Sequence, residues 1–287
     1  MRLKQSYPFD WQGLEDFSYD FDAAGVPRVD YGAEGLRYNP ITIAQYGLFS
    51  LQRFAEEARD ADRARALSCA VWLAANARPA GCGSLAWIYD FSLPFYGPDA
   101  PWISAMAQGE AVSLLVRCHV LEQRSDFLDI ARSAIRLLDL PVAEGGTLGR
   151  LPGGDPWFEE YPTEPASHVF NGHLFALLGA ADWADHSDLP EAWQRYERGL
   201  ASIERNWRLW DRGFWTRYDL HPTNRLASRM YQRVHVRLMR LLAERTGRPL
   251  FFQVARRWRN MLYDPWSNLA WLALKSGEKI RLRGGLR

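Results

Sequence analysis

The sequence predicts an all-α protein: a short irregular N-terminal arm over residues 1–35, then one domain over residues 36–287 that forms a partial (α/α) toroid of about four helical hairpins, with at most minor β-hairpins. Three observations predict it. A unit of amphipathic helix, short polar turn, second amphipathic helix and long connection recurs, its first helices starting near residues 39, 104, 167 and 226. Repetition at a nearly constant period marks stacked units that bury their apolar faces on one another. The long connections are rich in Gly, Trp and Tyr, and strand-like alternation is confined to 85–96 and 213–220.

Each element has a local reason. Asn39-Pro40 is an N-cap followed by proline at the first helical position, and Ile41, Ala44, Leu48, Leu51 and Phe54 then fall on one face. The partner helix is expected over 61–76, with Ala66, Ala70 and Leu73 as its apolar stripe. The second hairpin is expected over 104–122 and 125–138, the third over 167–182 and 189–207, the fourth over 226–244 and 250–262. Echoes within the repeat support it: Ile43-Ala44-Gln45-Tyr46-Gly47 parallels Met106-Ala107-Gln108-Gly109-Glu110.

Composition narrows the function classes. With 47% hydrophobic residues, 24% charged residues and a net charge of +1, the chain resembles ordinary globular proteins, and neither nucleic acid nor a membrane is the expected partner. No apolar run reaches the ~18 residues of a spanning helix. The opening residues contain no apolar core of a leader, so a soluble, cytoplasmic setting is expected. Cys69, Cys82 and Cys118 are too few and scattered for a disulfide framework or a zinc site, and no metal is expected. The 13 Trp, 12 Tyr and 14 Phe suit a carbohydrate groove, where flat rings cover the apolar faces of sugars.

In a toroid the first helices of the hairpins share a direction, so their N-terminal ends share a rim. The unusual residues gather there: Tyr38 before the first helix, Trp102 before the third, Glu159-Glu160-Tyr161 before the fifth and Tyr218 before the seventh. Helix N-termini carry partial positive charge, which suits a ligand bearing a carboxylate. Two adjacent acids between aromatic rings on a proline-stiffened loop favour a carboxyl group of raised pKa. Tyr231 and His235, four residues apart, are neighbours on one helix face. His119 and His186 read as structural. Gly145-Gly146 and Gly153-Gly154 read as turns, since no lysine follows to make a phosphate cradle.

These segments resemble a known family. Tyr38-Asn39-Pro40-Ile41-Thr42-Ile43-Ala44-Gln45-Tyr46-Gly47-Leu48 resembles the P-I-x-I-A-Q-Y-G-L signature of D-glucuronyl C5-epimerases. Trp102-Ile103-Ser104-Ala105-Met106-Ala107-Gln108-Gly109 is similar to that family's W-x-S-A-M-A-Q-G run. Glu159-Glu160-Tyr161-Pro162-Thr163 with Asn171-Gly172 resembles its E-E-Y-P-T…N-G block. Tyr218-Asp219-Leu220 matches Y-D-L, and Tyr231 with His235 fits the closing Y-H-x-x-H helix. The resemblance implies conversion of D-glucuronate to L-iduronate within a heparosan-like polysaccharide, of the kind that precedes heparan sulfate, by a homodimer. It implies Glu160 and Tyr231 as the proton-handling pair, with Tyr161 and Tyr218 in support. Tyr38, Tyr46, Trp102, Gln108, Glu159, Asn171 and His235 are the candidate substrate-binding residues of the same blocks.

Inverting C5 removes a proton α to a carboxylate and returns one to the opposite face, so positive charge must meet the carboxylate as the proton leaves. Arg117, Arg229 and Arg233 are the candidates, and the sequence leaves the choice among them open. No hydride moves, so no redox cofactor is expected. Two alternatives share the same residues. A uronate polysaccharide lyase begins with the same proton abstraction. A non-catalytic glycan-binding relative is suggested by Gln232, where the family usually has His, and by Met230, where animal members have an acid.

Overall fold

The computed structural model describes residues 7–9, 19–93 and 98–284, with side chains through residue 276. Parts of the expected N-terminal arm, at 1–6 and 10–18, and of the expected 85–96 strand segment, at 94–96, lie outside the described residues.

Four helical hairpins carry the fold: α1 (Pro40–Glu57) with α2 (Asp60–Asn76), α3 (Ala105–Glu122) with α4 (Ser125–Ala134), α5 (Phe170–Ser187) with α6 (Pro190–Asn206), and α7 (Arg229–Thr246) with α8 (Pro249–Tyr263). A further helix, α9 (Pro265–Gly284), follows. The hairpins share one turn. Each first helix ends on a residue in the left-handed region, namely Ala58, Gln123, Asp188 and Gly247, with φ between 52° and 68°. Its N–H closes onto the carbonyl four residues back. The second helix begins two residues later, at Asp60, Ser125, Pro190 or Pro249. Only Gly247 reaches that conformation without a Cβ clash.

The first helices α1, α3, α5 and α7 form the inner row, each packed on the next, and α2, α4, α6 and α8 back them from outside. The difference shows in burial. Residues 105–118 of α3 and 170–184 of α5 are all buried. In contrast, α4, α6 and α8 bury one stripe and expose the other, as outer helices do. α3 and α5 meet backbone to backbone. A Cβ on Gly109 would lie 2.5 Å from Ala176 Cα, and one on Gly179 would fall inside the Gly109 backbone. The N-terminal segment enters the arc from below: Tyr7 and Phe9 are buried, Tyr7 against the Arg117 guanidinium and Phe9 edge-on to Phe175, with ring centroids 5.0 Å apart.

Several details differ from the sequence reading. The arm expected to be irregular contains an antiparallel meander, β1 (Asp20–Phe21), β2 (Pro27–Asp30) and β3 (Leu36–Arg37). Asp22 Oδ1 fixes its first turn by accepting from the N–H groups of Ala24 and Val26, both at 2.9 Å. The 85–96 segment does not pair with itself. β5 (Ser84–Ala86) pairs back to β4 (Arg78–Ala80), and β6 (Ile88–Tyr89) pairs forward to β7 (Trp102–Ile103). An unforeseen hairpin joins β8 (Leu148–Arg150) to β9 (Pro156–Phe158). Around 213–220 there are only the single bridges Asp211 to Thr216 and Arg217 to Leu226. α5 starts at Phe170 rather than 167 because His168 takes a left-handed φ of 46° and the Ser167 carbonyl accepts from Leu220 N. α7 starts at Arg229 rather than 226 because Leu226 and Ala227 are bonded across to 216–217, leaving Ser228 as the cap. α9 was missed, although Asp264-Pro265 is the same kind of start signal as Asn39-Pro40.

The close α3–α5 crossing yields a test. Gly179→Ala is expected to lower unfolding stability by ~1–3 kcal/mol, the usual range for overpacking where a backbone must yield, as read by urea denaturation followed by circular dichroism. An unchanged midpoint would mean the two helices can separate freely.

Candidate active site

The β8–β9 hairpin delivers Glu159 and Glu160 to the rim of the inner helices. Glu159 N bonds to Thr147 O at 2.8 Å, and its carbonyl accepts from Ala105 N at 2.9 Å, so the loop docks on the N-terminus of α3. In extended chain, successive side chains point to opposite sides, and these two acids part accordingly. Glu159 turns down into a buried pair of contacts, with both carboxylate oxygens on His168, one meeting its backbone N–H and the other Nδ1. Glu160 turns toward the first turn of α5, where its side chain lies over Gly172; a Cβ there would sit 2.5 Å from Glu160 Cβ.

Glu160 is buried, and its Oε2 has no hydrogen-bond partner among the described residues. Burial pushes its pKa up to about 7, against a hydrogen bond from Tyr161 that favours the carboxylate and with help from the negative charge of Asp219. The positive end of α5 favours the ionised form. The group is therefore poised to hold or release a proton near neutrality.

A chain of contacts orients Tyr161. Its ring meets Trp102, centroids 5.7 Å apart. Trp102 stacks on Tyr89 at 4.0 Å and donates its indole N–H to Phe91 O. Tyr89 OH donates to Asn39 Oδ1 at 2.8 Å, the same oxygen that caps α1 through Ile41 N. The N-cap of the first helix thus supports the tyrosine that bonds to Glu160.

Tyr231 approaches from α7. Its ring lies 4.6 Å from that of Tyr218, whose hydroxyl bonds to it. Burial raises the Tyr231 pKa and the charge of Glu160 raises it further, while Tyr218 pulls it down. Tyr218 is held by its backbone, its N–H on Arg225 O and its carbonyl accepting from Phe170 N at 3.2 Å. Asn171, next on α5, is buried with Oδ1 unpartnered. Glu160, Tyr161, Tyr218, Tyr231 and Asn171 are thereby gathered around the start of α5.

The other sequence candidates lie elsewhere or are committed to internal bonds. The Gln108 amide is used entirely inside the protein, accepting from Trp87 N and donating to Leu85 O and Ala134 O. Arg117 is buried in an ion pair with Asp182. Arg229 is exposed and bonds to Asn268 on α9, and Arg233 is on the exposed face of α7. Tyr38 OH donates to Asp22, and Tyr46 packs on Tyr19 and Phe21, so both fasten the meander to α1. His235 is fully buried against Thr216, and burial drives its pKa down to about 3, leaving it neutral. Gln232 is structural too: its oxygen accepts from Thr216 N and Oγ1, and its amide donates to Trp258 O.

Two acids near the centre escaped the sequence reading. Asp219 is fully buried beside Glu160. Glu110 is fully buried on α3, both oxygens facing the Gln45 amide at 3.0 and 3.2 Å. Burial lifts Glu110 well above the usual carboxylate range, opposed by Gln45 and aided by the charge of Glu160. The signal available was a charged residue inside the stretch Ala-Gln-Gly-Glu-Ala, where an inner helix has no solvent face. Among the described residues no cluster of His, Cys, Asp and Glu could hold a metal ion.

The fold is a helical toroid whose rim buries a near-neutral carboxyl beside paired tyrosines. The chain belongs to the family of the D-glucuronyl C5-epimerase C-terminus, whose profile matches residues 83–260. It is 33% identical over 179 residues to a D-glucuronyl C5-epimerase of Caenorhabditis elegans, covering 56% of this chain and 29% of that protein. It is 28% identical over 178 residues to an uncharacterized protein of Methanocaldococcus jannaschii, covering 61% of this chain and 57% of that one. The chain thus spans less than two thirds of either relative. Among solved structures it resembles a glycoside hydrolase family 76 mannosidase from Bacteroides thetaiotaomicron (TM-score 0.51, 11% identity, 76% of this chain and 60% of that one). It also resembles a possible member of the GH105 family from Salmonella enterica serovar Paratyphi A (TM-score 0.52, 15% identity, 82% and 62%). These two likenesses show the fold alone.

Two predictions follow from burial. Glu160 binds its proton more tightly in the folded state (about 7) than at its ordinary value of 4.5. Its contribution is therefore fully present below about pH 4.5 and is lost as pH rises through 7, a swing on the order of 3 kcal/mol. Glu160→Gln is expected to match the parent protein at acid pH and exceed its stability at mildly alkaline pH, in urea titrations at both. Arg117→Ala, which strands Asp182, is expected to cost ~3–5 kcal/mol of stability. A variant of parental stability would show that the pair holds nothing together.

Proposed function

We propose that the protein inverts C5 of D-glucuronate residues to L-iduronate within a heparosan-like polysaccharide, using Glu160 and Tyr231 on opposite faces of the sugar. The observation that carries the proposal is a loop carboxyl group poised near neutrality and electrostatically coupled to a tyrosine on α7. Epimerisation requires two proton-transfer groups of that kind.

In the forward direction the Glu160 carboxylate takes the C5 proton, and the electron pair of the C–H bond moves into the substrate carboxylate. No arginine of the expected three faces this site, so the developing charge falls to the N-terminus of α5. There the backbone N–H groups of Asn171 and Gly172 lie among the unpaired first-turn donors. The Tyr231 O–H then returns a proton to the opposite face of C5. The phenolate left behind accepts from Tyr218, whose bond to Tyr231 already favours that form. Tyr161 holds the Glu160 carboxylate by donation, and exchange with solvent resets both groups. Reversing the roles gives the reverse reaction.

The test is incubation with heparosan in heavy water, followed by proton NMR at C5. Deuterium incorporation with iduronate signals is expected, and Glu160→Gln and Tyr231→Phe should each lower exchange by at least ~10²-fold, the scale of one general acid or base. Full exchange in either variant would overturn the assignment, and a 4,5-unsaturated, ultraviolet-absorbing product would mean a lyase.

A further inference from the structure

The C-terminal helix is apolar on the wrong side. Its inward face carries Ser267, Asn268 and Trp271: the Asn268 amide donates to Leu262 O and Asp264 O, and the Trp271 indole donates to Ala227 O. Its outward face carries Trp266, Leu269 and Leu272, which are 78%, 58% and 57% exposed. Residues 265–274, Pro-Trp-Ser-Asn-Leu-Ala-Trp-Leu-Ala-Leu, contain no charge. Single exposed apolar residues are ordinary; a helix face made only of them marks an interaction surface.

The exposed residues toward the end of α8, the helix that leads into α9, have the complementary chemistry. Arg256, Arg259 and Tyr263 follow one another at helical spacing and are all exposed, Tyr263 at 77%. Arg257, between them, is paired with Asp211, but Arg256 and Arg259 make no ion pair among the described residues. Beyond the apolar stretch, residues 276–287 hold Lys279, Arg281, Arg283 and Arg287 against Glu278, a local charge of +3 in a chain whose total is +1.

We propose that α9 and the end of α8 form a docking surface for an anionic lipid bilayer, with α9 lying in the plane of the headgroups. Trp266 and Tyr263 are the residue types that settle at the water–hydrocarbon boundary. Leu269 and Leu272 supply the apolar face of an interfacial helix, Arg256 and Arg259 meet the acidic headgroups, and the +3 charge of residues 276–287 adds to the attraction. A second copy is the less favoured occupant, because a symmetric contact would bring together two surfaces whose exposed charges, Arg256 and Arg259, have the same sign. No helix among the described residues is long and apolar enough to cross a membrane, which accords with a helix that lies on one. The surface departs from the expectation, drawn from net charge, that no membrane is engaged. It places an enzyme of anionic polymers beside a bilayer without using any residue of the catalytic rim.

The experiment is flotation of the whole protein with vesicles of phosphatidylcholine, alone and mixed with phosphatidylglycerol. Binding is expected only with the mixed vesicles, weakening as salt is raised. It should fall about tenfold or more in Trp266→Ser/Leu269→Ser and in Arg256→Glu/Arg259→Glu. All four residues are exposed, and circular dichroism would establish that the variants fold. Failure to float with mixed vesicles, or equal flotation with both kinds, would overturn the proposal. So would a dimer in sedimentation velocity that Trp266→Ser/Leu269→Ser splits, since that would give the face to a second copy.

Discussion

The separation between α3 and α5 sets the geometry of the site. Helices with ordinary side chains at their contact keep their axes 8–10 Å apart. Here Gly109, Ala176 and Gly179 leave no side-chain layer, and the backbones touch. Both helix N-termini are thereby brought close enough to share one loop. The start of α3 takes the Glu159 carbonyl, and the start of α5 receives the Glu160 side chain over Gly172. α5 also holds the Tyr218 carbonyl through Phe170 N, and packs on α7, which carries Tyr231. Small residues at one crossing therefore decide whether an acid from one loop and a phenol from a distant helix meet at one site.

The centre of the arc holds several acids, and each is accommodated differently. Asp182 has Arg117, Glu159 has His168, and Glu110 has the Gln45 amide and a pKa raised by burial. Glu160 alone among these four keeps a buried carboxylate oxygen without a partner. Burying such a group is unfavourable, and the unfavourable case falls on the carboxyl to which the proposed function gives the proton transfer. The bonds of the neighbouring acids hold the frame while leaving one Glu160 oxygen open among the described residues.

Much of the fold was legible locally. The hairpin period, the Asn39-Pro40 cap and the amphipathic stripes placed eight helices with small errors at their ends. Those errors arose where the chain bonds to remote segments: Ser167 to Leu220, and Ala227 to Thr216. The short strands were poorly legible because each pair is only two to four residues long and its partner is not marked by spacing. The candidate acid and tyrosines were legible from aromatic context and motif. The roles of Gln108, Arg117 and Glu159 were not, since a polar side chain in a motif looks the same whether it faces a ligand or a carbonyl.

The sequence by itself determined the helical repeat and the set of chemical groups on the rim, because caps, turns and 3.6-residue periodicity are properties of neighbouring residues. Only the tertiary structure decided which of two adjacent glutamates keeps a carboxylate oxygen without a partner among the described residues and which puts both oxygens on His168. It also decided that Arg117 serves Asp182, 65 positions away, and that α9 turns its apolar face outward. Burial and partnership depend on what lies across a contact, and that is fixed only once the helices have packed.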